Sequence, residues 1–365
     1  MIPQDYNTWR KPARKLAVGS VEVGGDAPVS VQSMTNTDTR DPEATGAQIR
    51  RLEAAGCEII RLAVPDEEAA AALREIKKRA RAPLVADIHF DHRLALASLE
   101  AGIDGLRINP GNIGAKWKVA ELVSAARERN IPIRIGVNAG SLDRELLDRH
   151  GSPTAAALVE SALKHCGILE ELGYDRIKVS LKGSDVPRTI EAYREFAKVR
   201  DYPLHIGITE AGTVFRGAVK SAVGLGILLA EGLGDTMRVS LTTDPVREVE
   251  TAYHILGALG IRRRGIDVIS CPTCGRTRLG IEKLAEEVEK RLADLDAPIT
   301  VAVMGCEVNG PGEAREADVG VAAGRTHGIL FRKGEVVGKV PESEIVDAVD
   351  RLAREAAAER TDIKA

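Results

Sequence analysis

Short runs of apolar, often β-branched residues alternate with longer segments whose apolar residues recur at helical spacing, from about Pro28 to Leu259. The longer segments include "PEATGAQIRRLEAAG", "PDEEAAAALREIKKRA" and "AAALVESALKHCGILEELG". Several end in glycine just before the next apolar run, which is typical of a helix C-terminus. The pattern predicts eight strands separated by helices. The eight runs are "VSVQSM" (Val29), "EIIRLAV" (Glu58), "LVADIH" (Leu84), "GLRIN" (Gly105), "IRIGVN" (Ile133), "RIKVSL" (Arg176), "LHIGIT" (Leu204) and "TMRVSL" (Thr236).

Eight strand–helix units are the number that closes a (β/α)₈ barrel, at about the usual length for that fold. A doubly wound open sheet stays an alternative, because periodicity does not report closure. The first strand is not followed by Gly-x-Gly-x-x-Gly, which disfavours a dinucleotide-binding sheet. The predicted fold class is therefore α/β, with an N-terminal TIM-type barrel followed by a smaller α+β domain.

The pattern changes after "GIRRRGIDVIS", and we place the domain boundary between Arg262 and Gly265. Residues 1–262 are the predicted barrel and residues 263–365 the predicted C-terminal domain. In that domain we expect a strand leading into "SCPTCGRT", a helix, a strand "ITVAVMGC" and a Gly-rich turn region "EVNGPGEAREADVGVAAG". A hairpin "HGILFRKGEVVGKV" and a last helix from about Glu342 to Glu359 complete it.

Composition narrows the class of protein. The 365 residues are 44% hydrophobic but only 3% aromatic, and the net charge of −3 gives no overall attraction to nucleic acid or a membrane. The N-terminus has no apolar signal region, and the most apolar run, from Ser221, is interrupted by Glu231. Five cysteines are an odd number and form no disulfide framework. We expect a cytoplasmic protein with reduced thiols.

Polar residues occupy or follow the end of each predicted strand, where the site of a parallel barrel lies. Five of the eight strands bring Arg or Lys there, and a strand interior is a costly place for a cation without an anionic partner. One interpretation is internal ion pairing, but Asp87 and Glu210 are the only carboxylates among these residues. We favour a small ligand with two phosphates. In strand order the residues are Gln32 and Ser33; Arg61; Asp87 and His89; Arg107 and Asn109; Arg134 and Asn138; Lys178, Ser180 and Lys182; Thr209 and Glu210; and Arg238 and Ser240.

His89 has two interpretations. With Asp87, Asp91 and His92 it would form a metal site, whereas polar residues at alternating positions of a barrel mouth more often hydrogen-bond substrate. We favour substrate binding by Asp87 and His89.

Three cysteines of the C-terminal domain, Cys271, Cys274 and Cys306, suggest a metal or redox site. A redox dithiol leaves Cys306 unused, and structural zinc needs a fourth ligand, for which His327 is the domain's one histidine. An iron–sulfur cluster accepts three thiolates and an open corner, which Glu313 would reach across "NGPG". We favour the cluster. Cys57 and Cys166 are expected to be buried small hydrophobes.

Seven strings, in order and in both predicted domains, resemble the 4-hydroxy-3-methylbut-2-enyl diphosphate synthase family of the non-mevalonate isoprenoid pathway. The resemblance runs from about Ser30 to Gly324, and the length is similar to that of the short bacterial form. The strings are "VQSMTNTDT", "LRINPGNIG", "KVSLKGSD", "HIGITEAGT", "RVSLTTDP", "CPTCGRT" and "GCEVNGPGEA".

The resemblance implies a [4Fe–4S] cluster on Cys271, Cys274 and Cys306, with Glu313 as exchangeable fourth ligand. It implies that the barrel binds 2-C-methyl-D-erythritol 2,4-cyclodiphosphate and opens its ring reductively with loss of water. Glu210 would be a carboxylate near the reacting end of the substrate. A head-to-tail homodimer with a shared site, and flavodoxin or ferredoxin as electron donor, are further implications. The implied diphosphate clamp is Arg61, Arg107, Arg134, Asn138, Lys182, Arg238 and Ser240.

Two other functions are weighed against this one. The first is a barrel enzyme acting on a phosphorylated or pterin-like substrate with a zinc-stabilised C-terminal domain, since dihydropteroate synthase has a similar barrel. The second is a regulator or electron carrier with a redox-sensing cluster, which would not need five cations at a barrel mouth.

Overall fold

The computed structural model describes residues 6–306, 308, 310–324 and 326–362. The chain divides into two compact units, Met1–Arg262 and Arg263–Ala365. No described helix combines the length and the apolar character needed to cross a bilayer.

The first unit opens with an antiparallel hairpin that the sequence pattern did not predict. Its strands are β1 (Leu16–Val18) and β2 (Val21–Val23), joined by a turn in which Gly19 has a φ of +56°. Eight parallel strands follow, at the eight predicted runs. They are β3 (Ser30–Met34), β4 (Ile59–Ala63), β5 (Leu84–Asp87), β6 (Gly105–Ile108), β7 (Ile133–Asn138), β8 (Ile177–Lys182), β9 (His205–Ile206) and β10 (Thr236–Met237).

These eight strands form a barrel. Their order is β8-β7-β6-β5-β4-β3-β10-β9, and the bridge between Val179 of β8 and Leu204, next to β9, brings the two ends together. The predicted (β/α)₈ barrel is confirmed, and the open-sheet alternative is wrong. Because β9 and β10 are only two residues long, most of the backbone hydrogen bonds between strands lie in the other six strands.

Helices connect the strands and cover the outside of the barrel. Several begin with an aspartate whose carboxylate accepts the first free backbone N–H groups, as Asp41 does from Glu43 and Ala44. The helices are α1 (Pro42–Ala54), α2 (Glu67–Arg79), α3 (His92–Glu100), α4 (Pro110–Ile113), α5 (Lys116–Glu128), α6 (Arg144–His150), α7 (Ala155–Glu171), α8 (Val186–Val199), α9 (Val214–Ala230) and α10 (Pro245–Ala258).

Alternation along each strand separates an apolar layer from a polar interior. In β8, Ile177, Val179 and Leu181 belong to the hydrophobic core shared with the helices. Lys178 and Lys182 occupy the alternate positions of the same strand and are also buried, so they point into the barrel. The barrel interior is therefore polar and cationic at its carboxyl end.

The second unit is a five-stranded mixed sheet with three helices. Strands β11 (Asp267–Ser270), β12 (Thr300–Met304) and β13 (Val319–Ala323) are parallel, and β14 (His327–Arg332) and β15 (Glu335–Pro341) continue the sheet antiparallel. The predicted hairpin is β14–β15, with both turn residues, Lys333 and Gly334, at positive φ. The helices are α11 (Ile281–Arg291), α12 (Gly310–Glu316) and α13 (Ile345–Asp362).

One expectation for this unit is wrong. The predicted Gly-rich turn region contains helix α12 and strand β13. Gly310 opens α12 directly against the sheet, since a Cβ there would lie 3.0 Å from the Met304 Cβ. Small residues in this segment therefore allow close packing of helix on strand.

Candidate active site and metal centre

A cavity of about 150 Å³ lies at the carboxyl ends of the barrel strands. All eleven of its lining residues are among the strand-end residues predicted above, and they include Asp87, His89, Thr209 and the seven residues of the implied diphosphate clamp. The residues are Arg61, Asp87, His89, Arg107, Arg134, Asn138, Ser180, Lys182, Thr209, Arg238 and Ser240.

Strand register explains why residues far apart in sequence meet here. Asp87 of β5 is the register partner of Arg107 of β6, which pairs in turn with Arg134 of β7. Lys178 of β8 continues the same row next to Arg134. Adjacent strands thus hold one carboxylate and three cations side by side.

Asp87 is the anionic centre of this row. An Arg107 Nη1–H donates to Asp87 Oδ1 at 3.1 Å, and Arg61 Nε lies 3.7 Å from Oδ2. Burial on its own would raise the pKa of Asp87, but Arg61, a hydrogen bond from His89 and the charge of Arg107 hold that pKa well below its usual range. Asp87 is therefore ionised, and it orients two arginines at the cavity.

His89 lies beside this pair. Its Nε2 is 3.7 Å from Asp87 Oδ2 and 3.2 Å from Arg107 Nη1, and its side chain is half exposed. The ring is thus placed to contact a ligand that enters the cavity.

Arg238 is held by a carboxylate that the sequence pattern did not reveal. Its Nε–H donates to Glu248 Oε2 at 3.1 Å and its Nη2–H donates to Oε1 at 3.3 Å. Glu248 lies in the first turn of α10, is 3% exposed, and also accepts from the Ser33 hydroxyl at 2.8 Å. Glu248 is therefore a further carboxylate that pairs with the mouth cations, beside Asp87.

Arg134 and Lys182 have no carboxylate within 4.0 Å among the described residues. Both are buried, and Nε and Nη1 of Arg134 have no hydrogen-bond partner in the described structure. Burial lowers the pKa of Arg134 well below its usual range, and the nearby charges of Arg61 and Arg107 lower it further. Burial and the charge of Arg134 do the same to the pKa of Lys182. An anion in the cavity would offset the desolvation cost of charged Arg134 and of charged Lys182.

The charge balance indicates the kind of ligand. Counted in their protonated forms, the five cationic side chains that line the cavity exceed the two carboxylates that pair with them, Asp87 and Glu248, by three charges. Guanidinium groups donate in pairs to phosphate oxygens, and a charge-assisted hydrogen bond contributes about 1.5–3 kcal/mol. The arrangement fits a small ligand with more than one phosphate.

Glu210 does not line the cavity, unlike its neighbour Thr209. It is exposed, lies four residues after the end of β9, and has a φ of +51°. A non-glycine residue in this conformation carries a backbone cost of about 1–3 kcal/mol, and such residues cluster at functional sites. Glu210 lies at the carboxyl end of the barrel, where the other strand-end residues lie.

The predicted cluster ligands lie at one edge of the second sheet. Cys271 directly follows β11 and Cys306 lies two residues after β12, at the carboxyl ends of two adjacent parallel strands. The backbone N–H of Gly305 donates to Cys271 Sγ at 3.1 Å. A Cβ at Gly305 would lie 3.3 Å from that sulfur, so the glycine leaves room for it.

Cys274 has the character of a metal-binding thiolate. The backbone N–H of Arg276, the Thr277 hydroxyl and the Arg276 charge lower its pKa, and the side chain is exposed. Glu313 is exposed in the first turn of α12. Within the described ranges, no three His, Cys, Asp or Glu side chains already lie close enough together to hold a metal ion. Two thiols at the carboxyl ends of β11 and β12, with Cys274 three residues after the first, nevertheless fit the donor set of an iron–sulfur cluster.

The other two cysteines have a different environment. Cys57 and Cys166 are buried, and burial raises the pKa of each thiol to about 12. They are inert parts of the barrel core, as predicted, and the five cysteines of the described chain form no disulfide.

Fold and site together define a (β/α)₈ barrel with a cationic mouth cavity and a second, thiol-bearing α+β unit. The model of the GcpE TIM-barrel domain matches residues 13–253, and the model of the GcpE protein C-terminal domain matches residues 267–355. The chain belongs to the GcpE family.

Curated relatives agree over nearly the whole length. A Geobacter sulfurreducens protein named 4-hydroxy-3-methylbut-2-en-1-yl diphosphate synthase (flavodoxin) is 67% identical over 336 residues, covering 92% of this chain and 95% of its own. A Maridesulfovibrio salexigens protein of the same name is 62% identical and covers 92% of this chain and 94% of its own.

Solved structures show the barrel fold alone. The barrel of Plasmodium falciparum HPPK-DHPS, solved with pterin and p-hydroxybenzoate, is 12% identical, with a TM-score of 0.50. The match covers 68% of this chain and 48% of that one.

Proposed function

We propose that this protein converts 2-C-methyl-D-erythritol 2,4-cyclodiphosphate to 4-hydroxy-3-methylbut-2-enyl diphosphate in non-mevalonate isoprenoid biosynthesis. The observation that carries the proposal is the mouth cavity, whose five cations pair with two carboxylates, Asp87 inside it and Glu248 outside it, in a chain 67% identical to a named synthase. A cyclic diphosphate supplies the missing negative charge. As an oxidoreductase, the protein would take its electrons from flavodoxin, the donor printed in the relatives' name.

The reaction balances as a two-electron reduction. The bond between a ring carbon and a phosphate oxygen breaks, a hydroxyl group leaves as water, and a C=C double bond forms. Two electrons and two protons enter when all phosphate oxygens are counted in their acid form. The chain's own side chains supply no low-potential electrons, so they bind and orient the substrate while a redox cofactor provides the electrons.

The clamp residues perform that orientation. Arg107 and Arg61 present N–H groups already aligned by Asp87, and Arg238 is aligned by Glu248. The unpartnered Nη1 of Arg134 would donate to a phosphate oxygen, with Lys182, Asn138 and Ser240 completing the set. A diphosphate fixed at several oxygens holds the reacting carbons in one position, which lowers the entropic part of the barrier.

Cys271, Cys274 and Cys306 would hold a [4Fe–4S] cluster, with Glu313 as the exchangeable fourth ligand. When bound, such a cluster supplies electrons one at a time and an iron open to substrate oxygen. The Gly305 N–H on Cys271 and the donors around Cys274 would stabilise the thiolates.

Glu210 would hold or protonate the departing hydroxyl. Its placement after β9 and its costly backbone conformation support the role. Alanine at Glu210 would lower kcat with little change in KM.

A head-to-tail homodimer, in which one chain's cluster serves its partner's barrel, follows from the family resemblance. Chains carrying Cys306→Ser or Arg107→Ala would each be inactive alone, and mixed dimers would recover up to about one intact site in two. Verified heterodimers without activity would contradict site sharing. A cytoplasmic location remains the expectation for a chain with five cysteines and no disulfide framework.

The experiment that tests the substrate is a binding titration of the cyclodiphosphate against oxidised protein, which cannot turn over. Wild-type protein would bind, Arg107→Ala would bind at least about tenfold more weakly, and Arg74→Ala, an exposed change on α2, would bind like wild type. Equal binding by all three would overturn the proposed clamp.

A further inference from the structure

Lys178 is a buried cation that the proposed reaction does not use. It lies on β8 four residues before Lys182 and does not line the mouth cavity, so it points into the barrel below the clamp. Its side chain is 3% exposed, and Nζ has no hydrogen-bond partner in the described structure. An ammonium group left in this way carries a large desolvation cost.

The groups around Lys178 come from several elements. Arg134 faces it from β7, and His205 faces it from β9 with Nδ1 3.3 Å from the Thr236 hydroxyl. Asp235, just before β10, is the nearby carboxylate, but it is already paired with Arg10 and with the Leu204 N–H. Strand β3 contributes Ser30 and Gln32, neither of which has a titratable side chain. Lys178 therefore has a like charge beside it and a carboxylate whose charge is already satisfied.

Arg134 connects this site to the mouth. It lines the mouth cavity and also a second cavity of about 10 Å³, which Lys178 and Gln32 line as well. That volume is close to the space one water molecule needs. An anion bound by Arg134 in the mouth would thus cancel the charge nearest to Lys178.

Burial and the charge of Arg134 both favour the neutral amine, and together they lower the pKa of Lys178 to about 7. Burial and the charges of Lys182, Arg134 and Lys178 lower the pKa of His205 well below its usual range, so that ring is neutral as well. Lys178 is thus the group below the clamp whose charge is most sensitive to what occupies the mouth.

We propose that Lys178 is a proton-binding site coupled to the mouth, which takes up a proton when a diphosphate occupies the mouth. The inference rests on the proposed function, because it takes the ligand to be the cyclodiphosphate. Neutralising Arg134 removes the like-charge repulsion, and the added negative charge in a low-dielectric interior favours the ammonium form. The water-sized cavity offers the new ammonium a hydrogen-bond partner.

Calorimetric titration of oxidised holoprotein with the cyclodiphosphate, in buffers of different ionisation enthalpy, measures the protons taken up on binding. The ligand does not interfere, because both of its phosphates are diesters that stay ionised at neutral pH. At pH 8 we expect Lys178 to contribute between about 0.5 and 1 proton to the uptake, since a group with a pKa near 7 is then mostly neutral. At pH 6 the Lys178 contribution would fall nearly to zero.

Lys178→Met would take up about 0.5 to 1 proton fewer than wild type at pH 8, whereas His205→Asn would match wild type. Uptake that remains in Lys178→Met belongs to Lys182, which lines the mouth and whose pKa burial and Arg134 also lower. Binding without proton uptake by wild type, or undiminished uptake by Lys178→Met, would overturn the inference alone. Wild-type binding without uptake at pH 8 overturns the inference even if Lys178→Met does not fold. Absence of binding by wild type would overturn the proposed function and this inference with it.

Discussion

Glu248 fixes Arg238 in the barrel mouth through two hydrogen bonds to one guanidinium, Nε to Oε2 at 3.1 Å and Nη2 to Oε1 at 3.3 Å. The same carboxylate accepts from the Ser33 hydroxyl at 2.8 Å and from the Leu241 N–H at 3.1 Å. One helix residue thus joins β3, the residues after β10 and α10. Glu248 positions the clamp from outside the cavity.

Glu248→Ala should raise KM for the cyclodiphosphate about tenfold, or about 1.4 kcal/mol, with a smaller change in kcat. Arg238 would lose its fixed orientation, while the residues proposed to carry out the chemistry would stay in place. Steady-state kinetics with a chemical reductant measures the effect. Glu250→Ala, which removes an exposed pair with Arg247 on the same helix, is the matched control. An unchanged KM in Glu248→Ala would show that Arg238 needs no such support.

Arg134→Met should make the ligand-free protein more stable and remove most of its stabilisation by substrate. Arg134 is buried with two unpartnered nitrogens, and replacing such a cation by an apolar side chain stabilises proteins by about 1–4 kcal/mol. Thermal unfolding with and without cyclodiphosphate checks both effects, with the exposed Arg74→Met as control. A loss of ligand-free stability would mean that Arg134 has a structural partner.

Serine at Cys271, Cys274 or Cys306 should abolish the brown colour and the bound iron and sulfide of anaerobic preparations. Cys57→Ser and Cys166→Ala should keep both, because those thiols are buried in the barrel core. Glu313→Gln should retain iron but lower kcat, since it changes the exchangeable ligand. Zinc in place of iron in the wild-type protein would contradict the cluster.

The pH dependence of stability should report Lys178. Its pKa of about 7 in the folded protein lies below that of an unfolded lysine, so the unfolded chain binds more protons between about pH 7 and pH 10. The Lys178 contribution therefore destabilises the fold at low pH, and the free energy of unfolding rises with pH through this window. The slope is at most about 1.4 kcal/mol per pH unit.

Denaturant unfolding of wild type and Lys178→Met at pH 6, 8 and 9.5 isolates this contribution. The stability advantage of Lys178→Met should be largest at pH 6 and should shrink as the pH rises. A constant difference across the three pH values would show that Lys178 does not titrate in the folded protein.

Strand positions could be predicted from the sequence because buried parallel strands are short, apolar and β-branched, as in "IRIGVN" and "RIKVSL". The eleven cavity residues could be predicted as strand-end residues for a related reason, since strand ends meet at one barrel mouth. The hairpin β1–β2 was missed because its two strands have three residues each, too few to show a period.

Other features depend on three-dimensional packing that a linear pattern does not contain. Glu248 reaches the mouth from a helix, and helical periodicity describes it only as one more carboxylate in a first turn. Lys178 and Lys182 look equivalent in "KVSLK", but they lie at different depths in the barrel. Lys182 lines the mouth cavity, whereas Lys178 lies below it. Helix α12 was missed because Gly and Pro in "NGPGE" favour a turn in isolation, whereas close packing on the sheet selects the helix.

Anaerobic turnover of the cyclodiphosphate with a chemical reductant tests the central claim most directly. The account predicts that brown protein with four irons per chain forms 4-hydroxy-3-methylbut-2-enyl diphosphate, and that Arg107→Ala loses this activity while keeping its iron. Full activity in colourless, iron-free protein would contradict the account.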